Sequence, residues 1–252
     1  MTPRRGDTAA AWDTRVDEGE TLIGAFSVLG SAAAEALAAG GLDFVLVDLQ
    51  HGFATLDTVV EHLALIGATG AMTLVRVPDA AAGSIGSVLD RGAAAVVVPM
   101  IDTAEQAAAV VAATRYPPHG IRSYGPIRAG ARERVEPGRR SPCFVMIETV
   151  AAVDAIDQIV AVPGLGGVYV GPTDLAISMG LGSGYDLDDA EHDGLVACVA
   201  AACQRVGLPA GVHTANAAVA RRRAEQGFSL VSIGSDQALI ADGVRRALTD
   251  LR

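Results

Sequence analysis

Ala38-Ala39-Gly40-Gly41-Leu42-Asp43-Phe44-Val45-Leu46-Val47-Asp48 contains the unit from which the whole chain is built. An alanine-rich helical stretch ends on two glycines, and a short apolar run follows that closes on a carboxylate. Glycine just past a helix end adopts the left-handed conformation that stops the helix. A short run of branched and bulky residues bounded by turn signals reads as a buried strand. The unit recurs where Asp90-Arg91-Gly92 precedes Ala93–Pro99, and Gly207 and Gly227 punctuate two more repeats. Working outward, strands are predicted at Leu22–Phe26, Phe44–Asp48, Thr73–Val77, Ala95–Pro99, Cys143–Glu148, Gly167–Val170, Pro209–Val212 and Leu230–Gly234. Helices are predicted at Ala32–Ala39, Leu56–Thr69, Ser84–Asp90, Ala104–Thr114, Val150–Val160, Ala190–Arg205, Ala215–Gln226 and Gln237–Leu251. Eight strands alternating with helices predict an α/β fold, a (β/α)₈ TIM barrel, with a doubly wound open sheet as the alternative topology.

Composition bounds what such a barrel can do. The chain has 252 residues, the size of one α/β barrel domain, and no stretch reads as a linker. Residues 1–18 read as an N-terminal tail or helix. Half the residues are apolar but only 4% are aromatic, which suits a core of small aliphatics between parallel strands and helices. A net charge of −10 argues against a nucleic-acid partner. No apolar run is long enough for a membrane span, and the N-terminus lacks the apolar core of a signal peptide. Cys143, Cys198 and Cys203 lack metal-finger spacing, so a reduced, cytoplasmic protein is expected. All nineteen basic residues are arginine. The absent lysine excludes a Schiff-base aldolase, the usual pyridoxal phosphate (PLP) anchor and a P-loop.

Barrel active sites lie at the C-terminal ends of the strands. Strand two ends in Asp48-Leu49-Gln50-His51-Gly52, strand three in Arg76 and strand five in Glu148-Thr149. Strand six is followed by Gly171-Pro172-Thr173-Asp174. Glu148 and Asp174 are the candidate metal ligands, since two carboxylates make a hard oxygen site for magnesium or manganese. The rival roles are an arginine partner for Glu148 and a helix cap for Asp174. His51 is the candidate acid/base, with Asp48 three residues earlier to fix its tautomer. Arg76 is placed to bind a carboxylate or enolate oxygen, or to pair with Glu148. His213 follows strand seven and is placed to face the site, with no partner evident in sequence, and Val212 beside it is a candidate substrate contact. His62 and His192 fall in helical patterns and read as packing or surface residues. Two long loops, Arg115–Ser141 and Gly180–Asp189, read as functional loops or oligomer contacts, and Arg122 is a weaker candidate within the first.

Taken in order, VDLQHG (Val47–Gly52), LVRVP (Leu74–Pro78), VPM (ending at Met100), RYPPHGIRS (Arg115–Ser123), MIET (Met146–Thr149) and GPTDLAISMG (Gly171–Gly180) resemble the HpcH/HpaI aldolase family, the class II pyruvate aldolases. The resemblance runs from about Thr21 to Ala241. It implies a barrel of the phosphoenolpyruvate/pyruvate-binding type, a last helix (237–252) that is often domain-swapped, and a homo-oligomer, a hexamer built from dimers. It implies that Glu148 and Asp174 bind the metal and that His51 is the catalytic histidine, with Asp48 its carboxylate partner. By the same resemblance Arg76 stabilises the pyruvate enolate, and Gly171, Pro172, Thr173 and Asp174 form the loop that receives the substrate carboxylate. The chain departs from the pattern at Gln50, where many members carry Glu, and at Met146, where many carry Gln. Both positions lie near metal-bound water or substrate in the family.

The expected reaction is metal-dependent aldol cleavage of a 4-hydroxy-2-oxo acid to pyruvate, or hydroxypyruvate, and an aldehyde. The cofactor would be Mg²⁺, Mn²⁺ or Co²⁺. Two rivals remain open at this level: an acyl-CoA lyase of the malyl- or citryl-CoA type, and a non-catalytic barrel that binds an oxo acid.

Overall fold

The computed structural model describes residues 15–127, 142–184 and 187–252. Most of the predicted N-terminal tail, the second half of the Arg115–Ser141 loop and Tyr185 of the glycine-rich loop lie outside the described residues.

Eight parallel strands close in sequence order: β1 (Leu22–Ser27), β2 (Phe44–Asp48), β3 (Met72–Arg76), β4 (Ala95–Val98), β5 (Cys143–Ile147), β6 (Gly167–Val170), β7 (Ala210–His213) and β8 (Leu230–Ser235). The closed barrel decides against the open sheet. Helices α1 (Ser31–Ala39), α2 (Val59–Thr69), α3 (Ala82–Asp90) and α4 (Ala104–Thr114) cover the first four strands. The predicted Val150–Val160 helix is two short helices, α5 (Val150–Asp154) and α6 (Ile156–Val160), separated at Ala155. After β6 comes α7 (Pro172–Ser178), then α8 (Ala190–Arg205), α9 (Ala217–Glu225) and α10 (Asp236–Asp250). No helix among the described residues is long and apolar enough to cross a membrane.

Two apolar layers hold the barrel, and strand alternation separates them. Val45, Val47, Val75, Val145, Ile147 and Val170 face outward and pack under the helices. Phe44, Leu46, Leu74, Phe144, Met146 and Tyr169 face inward and fill the barrel. Each such fully buried aliphatic or aromatic side chain contributes about 1.5–3 kcal/mol. The interior holds its few aromatics because glycine faces them. A Cβ at Gly211 would stand 2.4 Å from the Tyr169 ring, and one at Gly167 would stand 2.2 Å from Phe144.

The same alternation aims the site. Side chains two apart on a strand share a face. Phe44 and Leu46 therefore lead inward to Asp48, Leu74 leads to Arg76, and Phe144 and Met146 lead to Glu148. Asp48 and Arg76 are also register partners across β2 and β3. On β7 the parity corrects one expectation. Val212 is fully buried in the outer layer beneath the helices, so its side chain is not a substrate contact. Its neighbour His213 takes the inward position.

Candidate active site

Asp48 and Arg76 form a closed fork at the mouth of the barrel. Arg76 Nε donates to Asp48 Oδ1 at 2.9 Å, and Nη2 donates to Oδ2 at 2.6 Å. Asp48 Oδ1 also accepts the backbone N–H groups of Gln50 (2.9 Å) and His51 (3.2 Å). Both side chains are buried. Burial works to raise the Asp48 carboxyl, but the Arg76 charge and the two backbone donors outweigh it, so the carboxyl sits below its ordinary value. Burial likewise opposes the Arg76 charge, and Asp48 overcomes it, with Glu148 and Asp174 adding in the same direction. Arg76 is thus held charged and fixed in plane.

This arrangement changes two sequence assignments. The carboxylate partner of Arg76 is Asp48, not Glu148. Asp48 in turn meets the backbone of His51 and not its imidazole, so it does not set the tautomer of that ring. His51 is exposed at the rim.

Glu148 lies just past β5 and is buried. Its Oε2 accepts the backbone N–H of Met100 at 2.8 Å. Met100 has φ 57°, and among the described residues it alone of the non-glycines has positive φ. Such a left-handed residue costs on the order of 1–3 kcal/mol and collects at functional sites. Gly171 closes against the other oxygen, where a Cβ would stand 2.7 Å from Oε1. Burial raises the Glu148 carboxyl above its ordinary value; the Met100 N–H opposes this and the charge of Asp174 adds to it.

Asp174 sits in the first turn of α7, with Gly171 at the cap position and Pro172 opening the helix. No side chain caps this helix, so the cap role for Asp174 does not hold. Pro172 suits the first turn because its missing N–H has no partner there in any helix. The Pro172 carbonyl is held by His192 Nε2 at 2.8 Å, which gives the buried His192 a structural role.

Several neighbours complete the mouth. Thr149 Oγ1 donates to Asp102 at 2.5 Å while capping α5. Gln50 Oε1 and Thr173 Oγ1 are buried with no hydrogen-bond partner. Buried polar atoms without partners are uncommon in folded proteins and point to an absent water, ion or ligand. Arg122, in contrast, is bound up with Asp90 at 2.5 Å and stacks on Tyr116. It braces the loop after α4 and does not reach the cluster just described.

A divalent cation fits this donor set. Glu148 and Asp174 repel one another, and the nearest cation, Arg76, is already paired with Asp48. Among the described residues no group of three or more His, Cys, Asp or Glu side chains is poised to hold a metal. The site offers two carboxylates, and the orphaned Gln50 and Thr173 oxygens suit waters or substrate oxygens at the other positions. Magnesium-type ions are commonly bound by one or two carboxylates plus water and substrate oxygens.

His213, which the sequence left without a partner, is an inward group with one. His213 Nδ1 lies 2.7 Å from Ser232 Oγ, its register partner on β8. Strand parity counted along β7 would have turned His213 inward. Its partner comes from another strand, which no local motif reveals. Met100 was legible only as part of VPM, because a left-handed backbone on a methionine has no sequence signal.

Comparison with known proteins identifies the family and the fold. Residues 23–242 match the model of the HpcH/HpaI aldolase/citrate lyase family. The chain is 35% identical to a hydroxypyruvate/pyruvate aldolase of Agrobacterium fabrum, over 92% of this chain and 90% of the relative. It is 37% identical to a 4-hydroxy-2-oxovalerate aldolase of Rhodococcus jostii, over 89% of both. A solved HpcH/HpaI aldolase/citrate lyase family protein from Burkholderia cenocepacia superposes with a TM-score of 0.87 at 29% identity, covering 97% of this chain and all of that one.

Proposed function

The chain belongs to the HpcH/HpaI aldolase/citrate lyase family and is an aldolase, a carbon–carbon lyase; on that premise we propose that it cleaves and forms 4-hydroxy-2-oxo acids from pyruvate or hydroxypyruvate and an aldehyde. The observation that carries this reading is a pair of mutually repelling carboxylates, Glu148 and Asp174, beside a guanidinium locked onto Asp48 at one barrel mouth.

Glu148 and Asp174 would hold the cation. When bound, a divalent ion (Mg²⁺, Mn²⁺ or Co²⁺) would supply Lewis-acid polarisation of the substrate oxo group. Arg76 has five N–H donors and Asp48 occupies two of them, so the rest are available to an oxygen that gains charge in the transition state. A pre-aimed donor costs no reorganisation at that moment. The Gly171–Asp174 segment, with the free Thr173 hydroxyl, receives the substrate carboxylate, a role that rests on the family pattern. Gln50 orients a water. His51, exposed at the rim, exchanges the C3 proton through water. The chain has no lysine, so no iminium with a lysine forms and PLP has no amine anchor.

The substrates are small molecules, and the acidic surface offers nothing to nucleic acid. We also read the protein as a cytoplasmic homo-oligomer; the assembly is supported by Ile240, Val244 and Leu248, which lie exposed along α10.

Metal-loaded protein incubated with pyruvate in D₂O should exchange the C3 protons. EDTA followed by dialysis should abolish the exchange, and restored metal should return it. Full exchange after chelation would exclude the metal role, and a pure binding protein would show no exchange under any condition.

A further inference from the structure

Asp236, the first residue of α10, is a buried carboxylate that the proposed chemistry leaves unused. Burying a carboxylate is costly unless donors satisfy it. Its Oδ2 accepts the Ser27 hydroxyl at 3.2 Å and the Leu29 N–H at 3.1 Å. The Val28 N–H is shared between Oδ1 at 3.0 Å and Oδ2 at 3.2 Å. Oδ1 also accepts the N–H of Gln237 at 2.8 Å. All but the last of these donors belong to the turn after β1, at the mouth of the barrel. The end of β8 is bent to deliver the carboxylate there. Between β1 and β8, Gly24 faces Ser232 and Phe26 faces Ser235, so β8 carries one residue more over that stretch. Gly234 lies within it at φ 114°, a conformation that favours glycine. An inserted residue of this kind re-aims the side chains that follow it.

The turn that Asp236 holds supports the His51 loop in its turn. The Val28 N–H goes to Asp236, and the Val28 carbonyl accepts the Phe53 N–H at 2.8 Å. Gly52 lets the loop close onto this turn. A Cβ there would stand 2.4 Å from the Asp48 carbonyl oxygen and 3.2 Å from Val28 Cα. His51 therefore lies between two anchors. On one side its own N–H donates to Asp48 Oδ1 at 3.2 Å. On the other, Phe53 is tied through Val28 to Asp236. The His51 imidazole is exposed, and no hydrogen bond reaches it among the described residues. The backbone alone sets where that ring stands.

We propose that Asp236 is a positioning residue for proton exchange: through Val28 and Phe53 it holds the loop that sets His51 at the rim. The inference rests on the role of His51 in the aldolase reading above and adds a residue whose route to the reaction is that loop. Asp236→Asn keeps the size of the side chain but turns one acceptor oxygen into a donor. Ser27, Val28 and Leu29 all offer protons, so at least one of them loses its partner. The turn moves away, and Phe53 and His51 follow it. Arg76 and Glu148 stay in place, because Asp48 and the Met100 N–H hold them. Binding of the oxo acid is thus kept while proton transfer slows. A reacting group misplaced by about an ångström costs on the order of 10²-fold in rate.

Two measurements test this. In the metal-free protein, the Phe53 N–H should exchange with D₂O about tenfold faster in Asp236→Asn than in wild type, with the amides of β4 and β5 unchanged. Unmoved protection at Phe53 overturns the proposal. In the metal-loaded protein, deuterium exchange at pyruvate C3 should fall by about 10²-fold in kcat for Asp236→Asn, with KM within about twofold. In a His51→Ala background the same change should make less than about a twofold difference, because the two residues act as one unit. An unchanged kcat, or an equal fall in both backgrounds, overturns the proposal, since a merely unfolded fraction lowers both alike. Asp236→Ser keeps a hydroxyl acceptor at the helix start and gives the same readings, smaller in size, where Asp236→Asn does not fold. A His51→Ala protein that exchanges as fast as wild type removes His51 from the reaction and the proposal with it. A wild-type protein that exchanges no C3 protons overturns the aldolase reading instead, and the Phe53 amide then decides alone whether Asp236 holds the loop.

Discussion

Asp48 concentrates the conflict between stability and chemistry into one side chain. Removing the charge while keeping the shape, as in Asp48→Asn, leaves the Arg76 cation buried beside a neutral partner. Breaking a buried pair from one side costs about 3–5 kcal/mol. The expected outcome is a lower urea midpoint for Asp48→Asn, with an unchanged far-ultraviolet spectrum. The pH dependence has a definite sign. The folded carboxyl lies below its ordinary value, so this pair contributes fully above the usual carboxylate range and is lost as pH falls through the lowered folded value. Glu148 has the opposite sign. Its folded carboxyl lies above the ordinary value, so the stability linked to its proton is lost as pH rises through that folded value. Glu148→Gln removes the repulsion from Asp174 while its amide oxygen still accepts the Met100 N–H. The metal-free variant should therefore melt higher than wild type at neutral pH, and the rise in Tm that manganese gives wild type should disappear. A variant that melts lower and still gains from manganese would remove Glu148 from the metal site. These residues were legible as strand-end polar groups. Their pairing was not, because Asp48 and Arg76 meet across strands whereas the motif set Asp48 beside His51 in sequence only.

At the level of elements, strand parity is the device that builds the mouth. A strand that alternates inward aromatic or aliphatic with outward valine must present its next inward residue at the C-terminal end. This is why Glu148 follows Phe144 and Met146. The eight strands were readable from sequence because each is a short apolar run between glycine-marked turns. The break at Ala155 was not, since nothing in Val150–Val160 interrupts a helical pattern. Helix α7 entered the sequence reading only as the short helix that Asp174 would cap, without bounds, although Pro172 marks its first turn. That junction is sterically closed. Gly171→Ala places a methyl 2.7 Å from Glu148 Oε1, with its Cγ 2.9 Å away, so the carboxylate must swing aside. Misplacement of a catalytic group by about an ångström costs on the order of 10²-fold in rate. We expect Gly171→Ala to lose about that factor in kcat with the barrel spectrum intact, which circular dichroism and steady-state kinetics on the same sample would check. Full activity would show that Glu148 relaxes without consequence.

For the whole molecule, the outlying element is α10. Every other long helix buries a face on the barrel, whereas α10 buries only Asp236, at its first residue. That carboxylate is tied down by Ser27 Oγ and by the N–H groups of Val28 and Leu29, which fixes where the helix leaves the barrel. Beyond it, Ile240, Val244 and Leu248 are exposed at 55%, 54% and 46%, and Leu251 at 83%. The first three are spaced by four and form one stripe along the helix. An apolar stripe left in water forfeits about 25 cal/mol for each Å² that a partner would cover, which favours association. The sequence marked the helix and its periodicity, but a stripe meant for the barrel and one meant for another copy look alike in sequence. Only the exposure of the stripe in the folded chain separates the two. If the stripe is the contact between copies, a charge in its middle should part them without unfolding the barrel, because Val244 touches no core layer. Val244→Glu is therefore expected to lower the mass seen by sedimentation equilibrium while leaving the barrel's circular dichroism in place. Unchanged mass for Val244→Glu, or a wild-type chain that sediments as a monomer, would free α10 from the assembly role and leave its stripe for a different partner.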